Sequence, residues 1–285
     1  MTLPPFEVHR PATVSEAGAL LLQYGDGASF YCGGTELLLL MKLGFAHYEH
    51  FIQVRHLPEL HGIAVEDGML RIGAATTHRQ LERSPLIQDR LPALASMERA
   101  VANIRVRTAG SLGGNLCFAD PHSDPATFLL ATGAQLLCLK GDAHRTLPID
   151  GFVLGPYQTL LEESEILAEI RIPIPDPNVK IVHKKLSFNE RPAATVTTMV
   201  TVGDGRTTDV RVAVGSVGVV PVRVSPAENE LRDMAASAPD LRRLEAAAEA
   251  ASEVCGAVED ANGSEEYKRN LVRVLVKRGF MEALG

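Results

Sequence analysis

The chain reads as an α+β protein in three consecutive parts, and three observations predict that class. Two glycine-rich turns stand where short apolar stretches hand over to helix-compatible runs, at Gly33-Gly34 and at Gly110 through Gly114. Alternating or β-branched residues flank Asp-Gly dipeptides at 63–72 and 196–217, the pattern of antiparallel hairpins. Two helical stretches close the chain, at 240–254 and 265–284, the second with Leu271, Val274 and Leu275 at helical spacing.

Residues 1–55 predict a compact β-α-β unit. Ser15 is placed to cap a helix through Leu22, Ala28 to Cys32 reads as a short buried strand, and Phe51 to Val54 offers another. Thr35 is expected to N-cap a helix from Glu36 to Lys42 that Gly44 ends, with Leu37 to Leu40 buried. Residues 56–176 open with a hairpin turning at Glu66-Asp67-Gly68. They carry the second glycine turn and an apolar helical run from Pro125 to Gly133, and end in a strand near 166–172. Pro173, Pro175 and Pro177 then mark a boundary, because proline interrupts a sheet ladder and stiffens a linker. Residues 177–285 predict an antiparallel hairpin around Gly203-Asp204-Gly205 followed by two helices, the last capped by Ser264.

The glycine turns carry the chemistry. Three glycines within five residues permit close backbone approach and positive φ, and Ser111 and Asn115 add short polar groups where amides converge on an anion. Gly33-Gly34 precedes a helix N-terminus, whose free amides and positive dipole end suit a phosphate. Either turn alone is an ordinary strand-to-helix connection; two together suit linked phosphates. The usual nucleotide fingerprints are missing. Gly25-Asp26-Gly27-Ala28-Ser29-Phe30 lacks the third glycine of G-x-G-x-x-G, and no G-x-x-x-x-G-K-[ST] occurs, which argues against a Rossmann enzyme or a P-loop NTPase.

Composition narrows the class further. At 285 residues, 46% hydrophobic and 22% charged, the chain can build about two domain cores. A net charge of −7 argues against general nucleic-acid binding. The opening Met1 to Pro5 has no signal-peptide character and the apolar run Leu37 to Met41 is too short for a membrane span, so a cytoplasmic location is expected. Cys32, Cys117, Cys138 and Cys255 form no C-x-x-C pair, which leaves no iron–sulfur or zinc cradle and predicts buried or incidental thiols. Asp120, His122, Ser123 and Asp124 have the residue types of a hydrolase triad but no nucleophile elbow. The pairs His47/His50 and His56/His61 lack a third ligand at suitable spacing. Neither a metal site nor a catalytic acid or base is expected.

The order of motifs makes a family resemblance specific. Cys32-Gly33-Gly34-Thr35-Glu36-Leu37, then Ser111-Leu112-Gly113-Gly114-Asn115, then Asp124, resembles the FAD-binding medium subunit of molybdenum hydroxylases. These are enzymes of the carbon monoxide dehydrogenase, xanthine dehydrogenase and aldehyde oxidoreductase type. The resemblance covers nearly the whole chain, through Phe6-Glu7-Val8-His9-Arg10-Pro11, Ile72 to Thr77, Ile170-Arg171-Ile172-Pro173 and Glu266-Tyr267-Lys268-Arg269. It implies a two-part FAD-binding domain of the vanillyl-alcohol-oxidase-like (PCMH) type followed by a small α+β C-terminal domain.

By that resemblance Cys32, Gly33, Gly34, Thr35, Glu36, Leu37, Ser111, Gly113, Gly114 and Asn115 hold FAD. Asp124 contacts its ribityl or nearby nucleotide portion, Ile166 lies near the ring, and Lys185 stands near the far edge of the flavin. The implied partners are a molybdopterin-binding large subunit and a [2Fe–2S] small subunit, in a heterotrimeric protomer that dimerises. Electrons leave to an acceptor such as NAD, quinone or oxygen. Asn189-Glu190-Arg191-Pro192-Ala193-Ala194 departs from the Asp-plus-apolar pattern of relatives at a segment close to the ring. Two rival classes share the glycine turns: a stand-alone FAD-dependent oxidase or reductase, and a non-catalytic nucleotide-binding protein.

Overall fold

A computed structural model describes residues 3–285 of the chain. Its first layer is a parallel sheet of β1 (Glu7–His9), β2 (Ala28–Tyr31) and β3 (His50–Gln53), in the order β1-β3-β2. Parallel strands need crossovers, supplied by α1 (Val14–Tyr24) and α2 (Leu37–Leu43). Thr13, rather than Ser15, caps α1: its hydroxyl accepts the Glu16 amide at 3.1 Å while the Glu16 carboxylate accepts the Ala12 amide. The Glu16 carboxylate thus reaches past the cap residue to the amide before it, and the two bonds together fix the entry to α1.

Helix α2 departs from expectation twice. Its N-cap position is Glu36, with no side-chain cap, because the Thr35 hydroxyl sits against Gly110, 3.3 Å from where a Cβ there would stand. Of its residues only Met41 is buried, whereas Leu39 and Leu43 are exposed. Gly44 ends it at φ +79, the left-handed conformation that favours glycine.

The second layer is an antiparallel sheet in the order β4-β5-β10-β6-β7. Strands β4 (Ile63–Glu66) and β5 (Met69–Gly73) meet at Asp67-Gly68, both with positive φ, as a type I′ turn requires. Six helices follow: α3 (His78–Arg83), α4 (Pro85–Arg90), α5 (Pro92–Ala100), α6 (Ile104–Ala109), α7 (Leu112–Phe118) and α8 (Asp124–Thr132). The chain returns through β6 (Gln135–Lys140), β7 (Ala143–Pro148) and the small hairpin of β8 (Val153–Gly155) and β9 (Gln158–Thr159) to β10 (Ile166–Pro173). Leu70, Ile72, Phe128, Leu136 and Ile170 form the heart of this core, each fully buried side chain stabilising by roughly 1.5–3 kcal/mol.

The third layer is an antiparallel sheet of β11 (Val179–Ser187), β12 (Pro192–Gly203), β13 (Arg206–Gly215) and β14 (Val222–Arg223), in that order. Helices α9 (Ser225–Leu231), α10 (Leu241–Val254) and α11 (Glu265–Leu284) cover it, with Asp240 and Ser264 as side-chain caps of the last two. Valines 196, 200, 210 and 212 pack with Val272 and Phe280. Helix α8 joins the second and third layers. Thr127 bonds Thr195 at 2.9 Å, and a Cβ on Gly215 would stand 1.9 Å from the Thr127 hydroxyl, so the missing side chain is what lets α8 sit so close.

Candidate functional site

A cleft of about 460 Å³ opens where the β2–α2 turn, α7, the start of α8, β10 and the segment before β12 converge. Twelve of the residues singled out from the sequence line it: Cys32 through Leu37, Ser111, Gly113, Gly114, Asn115, Asp124 and Ile166. Lys185 does not.

The first glycine turn is open. Gly34 has φ +66, and a Cβ there would lie 2.4 Å from the Tyr31 ring. Gly33 presses on the other turn, since its Cβ would lie 2.3 Å from the Ala109 carbonyl oxygen. Among the described residues, the amides of Gly33, Gly34, Thr35 and Glu36 have no protein acceptor. Four unspent donors on the wall of a cleft form a concavity suited to an anion.

The second turn works differently. Its glycines do not use positive φ: Gly110 is extended and Gly113 and Gly114 lie in α7. Ser111 caps that helix by accepting the Gly114 amide at 3.1 Å, and its hydroxyl donates to Cys32 Sγ at 3.3 Å, tying one turn to the other. A Cβ on Gly113 would meet the Ala74 Cβ at 2.5 Å, whereas one on Gly114 would meet only the Ser111 hydroxyl, at 2.9 Å. Gly113 therefore serves packing, and Gly114 keeps the lining of the cleft shallow.

Asp124 is the first residue of α8, with Ser123 in the cap position. Its buried carboxylate receives Lys185 Nζ at 2.8 Å and stands 3.3 Å from His183 Nε2. Lys185 also donates to the Ala100 carbonyl at 2.8 Å, so its charge neutralises Asp124 instead of projecting into the cleft. Ile166, buried, begins β10. The thiols are not uniformly buried. Cys138 and Cys255 are, Cys32 is half-buried, and Cys117 is exposed on the cleft wall.

The hydrolase-like residues are spent elsewhere. Ser123 donates to Asn115 Oδ1 at 2.6 Å, and the His122 ring bonds the Pro192 carbonyl at 2.9 Å and the Asp260 carboxylate at 3.0 Å. The rim residue that the sequence left without a role is Arg191, which joins Glu36 at 2.7 Å and Asp120 at 2.8 Å. It links the third layer to both halves of the cleft. Burial raises the Glu36 carboxyl above its ordinary range, an effect that nearby Asp120 adds to and Arg191 only partly offsets. Contacts spanning 70 or 155 residues leave no local periodicity to read, which is why His122–Pro192 and Glu36–Arg191 escape sequence reasoning.

The geometry fits a dinucleotide cofactor: two backbone turns lining one cleft, free amides on one of them, and no bulky side chain at Gly33, Gly34 or Gly114. Comparison with known proteins agrees. Residues 4–175 match the family described as the FAD binding domain in molybdopterin dehydrogenase, and residues 187–283 match the CO dehydrogenase flavoprotein C-terminal domain. The chain belongs to the FAD-binding medium subunits of the molybdenum hydroxylases. It is 36% identical to the carbon monoxide dehydrogenase medium chain of Hydrogenophaga pseudoflava over 99% of this chain and 98% of that one. The xanthine dehydrogenase FAD-binding subunit of Escherichia coli is 31% identical, covering 97% and 95%. A solved carbon monoxide dehydrogenase from Hydrogenophaga pseudoflava superposes with a TM-score of 0.95 over 99% of this chain and 98% of that one, at 36% identity. The cofactor of this medium subunit is FAD, and its part in catalysis is electron transfer. Among the described residues no helix is long and apolar enough to cross a membrane.

Proposed function

We propose that this medium subunit holds FAD with its pyrophosphate between the Gly33-Gly34-Thr35 turn and the Ser111-to-Asn115 turn. In this reading electrons arrive from a [2Fe–2S] small subunit fed by a molybdopterin-binding large subunit, and leave to an acceptor such as NAD, quinone or oxygen. The observation that carries the reading is the row of unpaired amides from Gly33 to Glu36, facing a second glycine turn across one cleft. When bound, FAD supplies two-electron storage between one-electron donors and the final acceptor. The chain's own residues bind and exclude: the amides meet the phosphates, Ile166 and Phe30 line an apolar section, and Arg191 guards the rim. No side chain needs to act as an acid or base on the organic substrate.

Exposed Leu39, Leu43 and Phe45, just beyond the first turn, supply apolar surface of the sort that partner chains cover. The assembly acts in the cytoplasm, and its medium subunit divides into cofactor-binding parts at 1–55 and 56–176 and a C-terminal part at 177–285. Affinity purification of the native protein, with flavin, iron and molybdenum measured on the eluate, tests the proposal. Co-elution of iron–sulfur and molybdopterin chains is the expected result. A lone yellow polypeptide with full donor-to-acceptor turnover would establish the stand-alone oxidase instead.

A further inference from the structure

Glu7 and His9 leave β1 two residues apart, on one face, and His50 pairs with Glu7 in the parallel register of β1 and β3. His9 Nε2 lies 3.1 Å from His50 Nδ1. The Glu7 Oε2 atom is 4.0 Å from the first nitrogen and 3.8 Å from the second. Those two separations are too long for direct hydrogen bonds. They bracket, with the 3.1 Å contact, the spacing of donors that share one ion: ligands about 2.0–2.1 Å from a tetrahedral metal stand roughly 3.3–3.5 Å from one another. Tyr24 of α1 stacks on His50 at 3.9 Å and on His9 at 4.8 Å, which holds both ring planes. The imidazoles are mostly shielded and the carboxylate is exposed, so the open side of the cluster faces water.

We propose that Glu7, His9 and His50 form a binding site for one divalent transition-metal ion of the zinc class, completed by water. Two imidazole nitrogens and one carboxylate oxygen are the donor set that such ions favour. Calcium and magnesium want an oxygen cage, and Cu(I) wants sulfur. Local spacing offers His50 no third ligand because its partner imidazole is 41 residues away. The ion fastens β1 to β3, the two strands that hold the sheet beneath the β2–α2 turn. It is therefore a structural clip, independent of the electron-transfer chemistry.

The test is a titration of the chelator-stripped full chain with zinc chloride by calorimetry, and with cobalt(II) by visible absorption. The expected result is one ion per chain, a dissociation constant in the micromolar range or tighter, and a rise in the thermal midpoint on adding zinc. His9→Gln and His50→Gln should weaken binding by about a hundredfold or more, as loss of a direct ligand does at the upper end of what outer-shell changes cause. Glu7→Gln, at an exposed carboxylate, serves as the variant whose folding is not at risk, and FAD content checks that all three fold. Absence of binding at millimolar zinc overturns the proposal. So does an ion held with unchanged affinity by His50→Gln and Glu7→Gln, which would lie elsewhere.

Discussion

The two walls of the cleft are both built on glycine, yet they spend it in opposite ways. In the wall at 33–37 the backbone is left unpaired, with Gly34 in a left-handed conformation and four amides without a protein acceptor. In the wall at 111–124 nearly everything is bonded: Gly113 donates to the Ala74 carbonyl, Gly114 to Ser111, Ser123 to Asn115, and Asp124 accepts from Lys185. One wall gives up stability to keep donors for a ligand. The other is a scaffold that fixes where those donors point.

The largest effect that sharpens this contrast is expected at Lys185. Lys185→Met strands the buried Asp124 carboxylate beside His183, and removing one partner of a buried ion pair costs about 3–5 kcal/mol. Urea denaturation of the flavin-free protein should show that loss. A variant as stable as the parent would place Lys185 outside the scaffold and return it to a direct role at the flavin. Gly113→Val follows, because the added atoms have nowhere to go beside Ala74 and overpacking costs about 1–3 kcal/mol. Its unfolding midpoint should fall with or without FAD.

Gly114→Ala should do the reverse. A helix interior gains up to about 1 kcal/mol when glycine becomes alanine, which offsets the push against the Ser111 cap, so stability changes little while FAD affinity drops. Equal losses of stability in Gly113→Val and Gly114→Ala, with FAD affinity intact in the second, would erase the distinction between packing and lining.

A smaller, pH-dependent difference separates Glu36 from Glu82. Burial lifts the folded Glu36 pKa above its unfolded value, so its contribution is present at acid pH and lost as pH rises through the elevated pKa. Glu82 is also opposed by burial, but hydrogen bonds from Arg79 and Arg107 win and hold it below the ordinary range. Its contribution is present above the unfolded pKa and disappears as pH falls. Stability of Glu36→Gln relative to the parent should therefore rise with pH across the carboxylate range, and that of Glu82→Gln should fall. Parallel curves would show that neither shift matters.

What was legible in the chain was what neighbours in sequence decide. Asp67-Gly68 and Asp204-Gly205 turn their hairpins with both residues at positive φ, and Ser264 caps α11 where the serine stood three residues ahead of Tyr267. The glycine walls were visible because two turns in fixed order carry more information than either alone. Strand β11 was not, since Lys180, His183, Lys184 and Lys185 obscure any apolar alternation in a strand that packs beside α11. The short helices α3 to α6 were also missed: with six to nine residues each they have too few turns to show a 3.6-residue period. The lining of the cleft was read, but its tension was not, because Arg191, His122 and Lys185 act on partners brought near only by the fold.

One chain of contacts has a genetic consequence. The fully buried ammonium of Lys268, in the last helix, holds Asp260 at 2.6 Å; Asp260 holds His122, and His122 holds the carbonyl of Pro192, the residue after Arg191 at the cleft rim. Damage near the end of the chain can thus reach the mouth of the cleft without altering any residue that lines it. In a selection for restored activity, second-site revertants of a Lys268 lesion should gather around 120–122 and 189–192 as well as in α11, tracing the route in reverse.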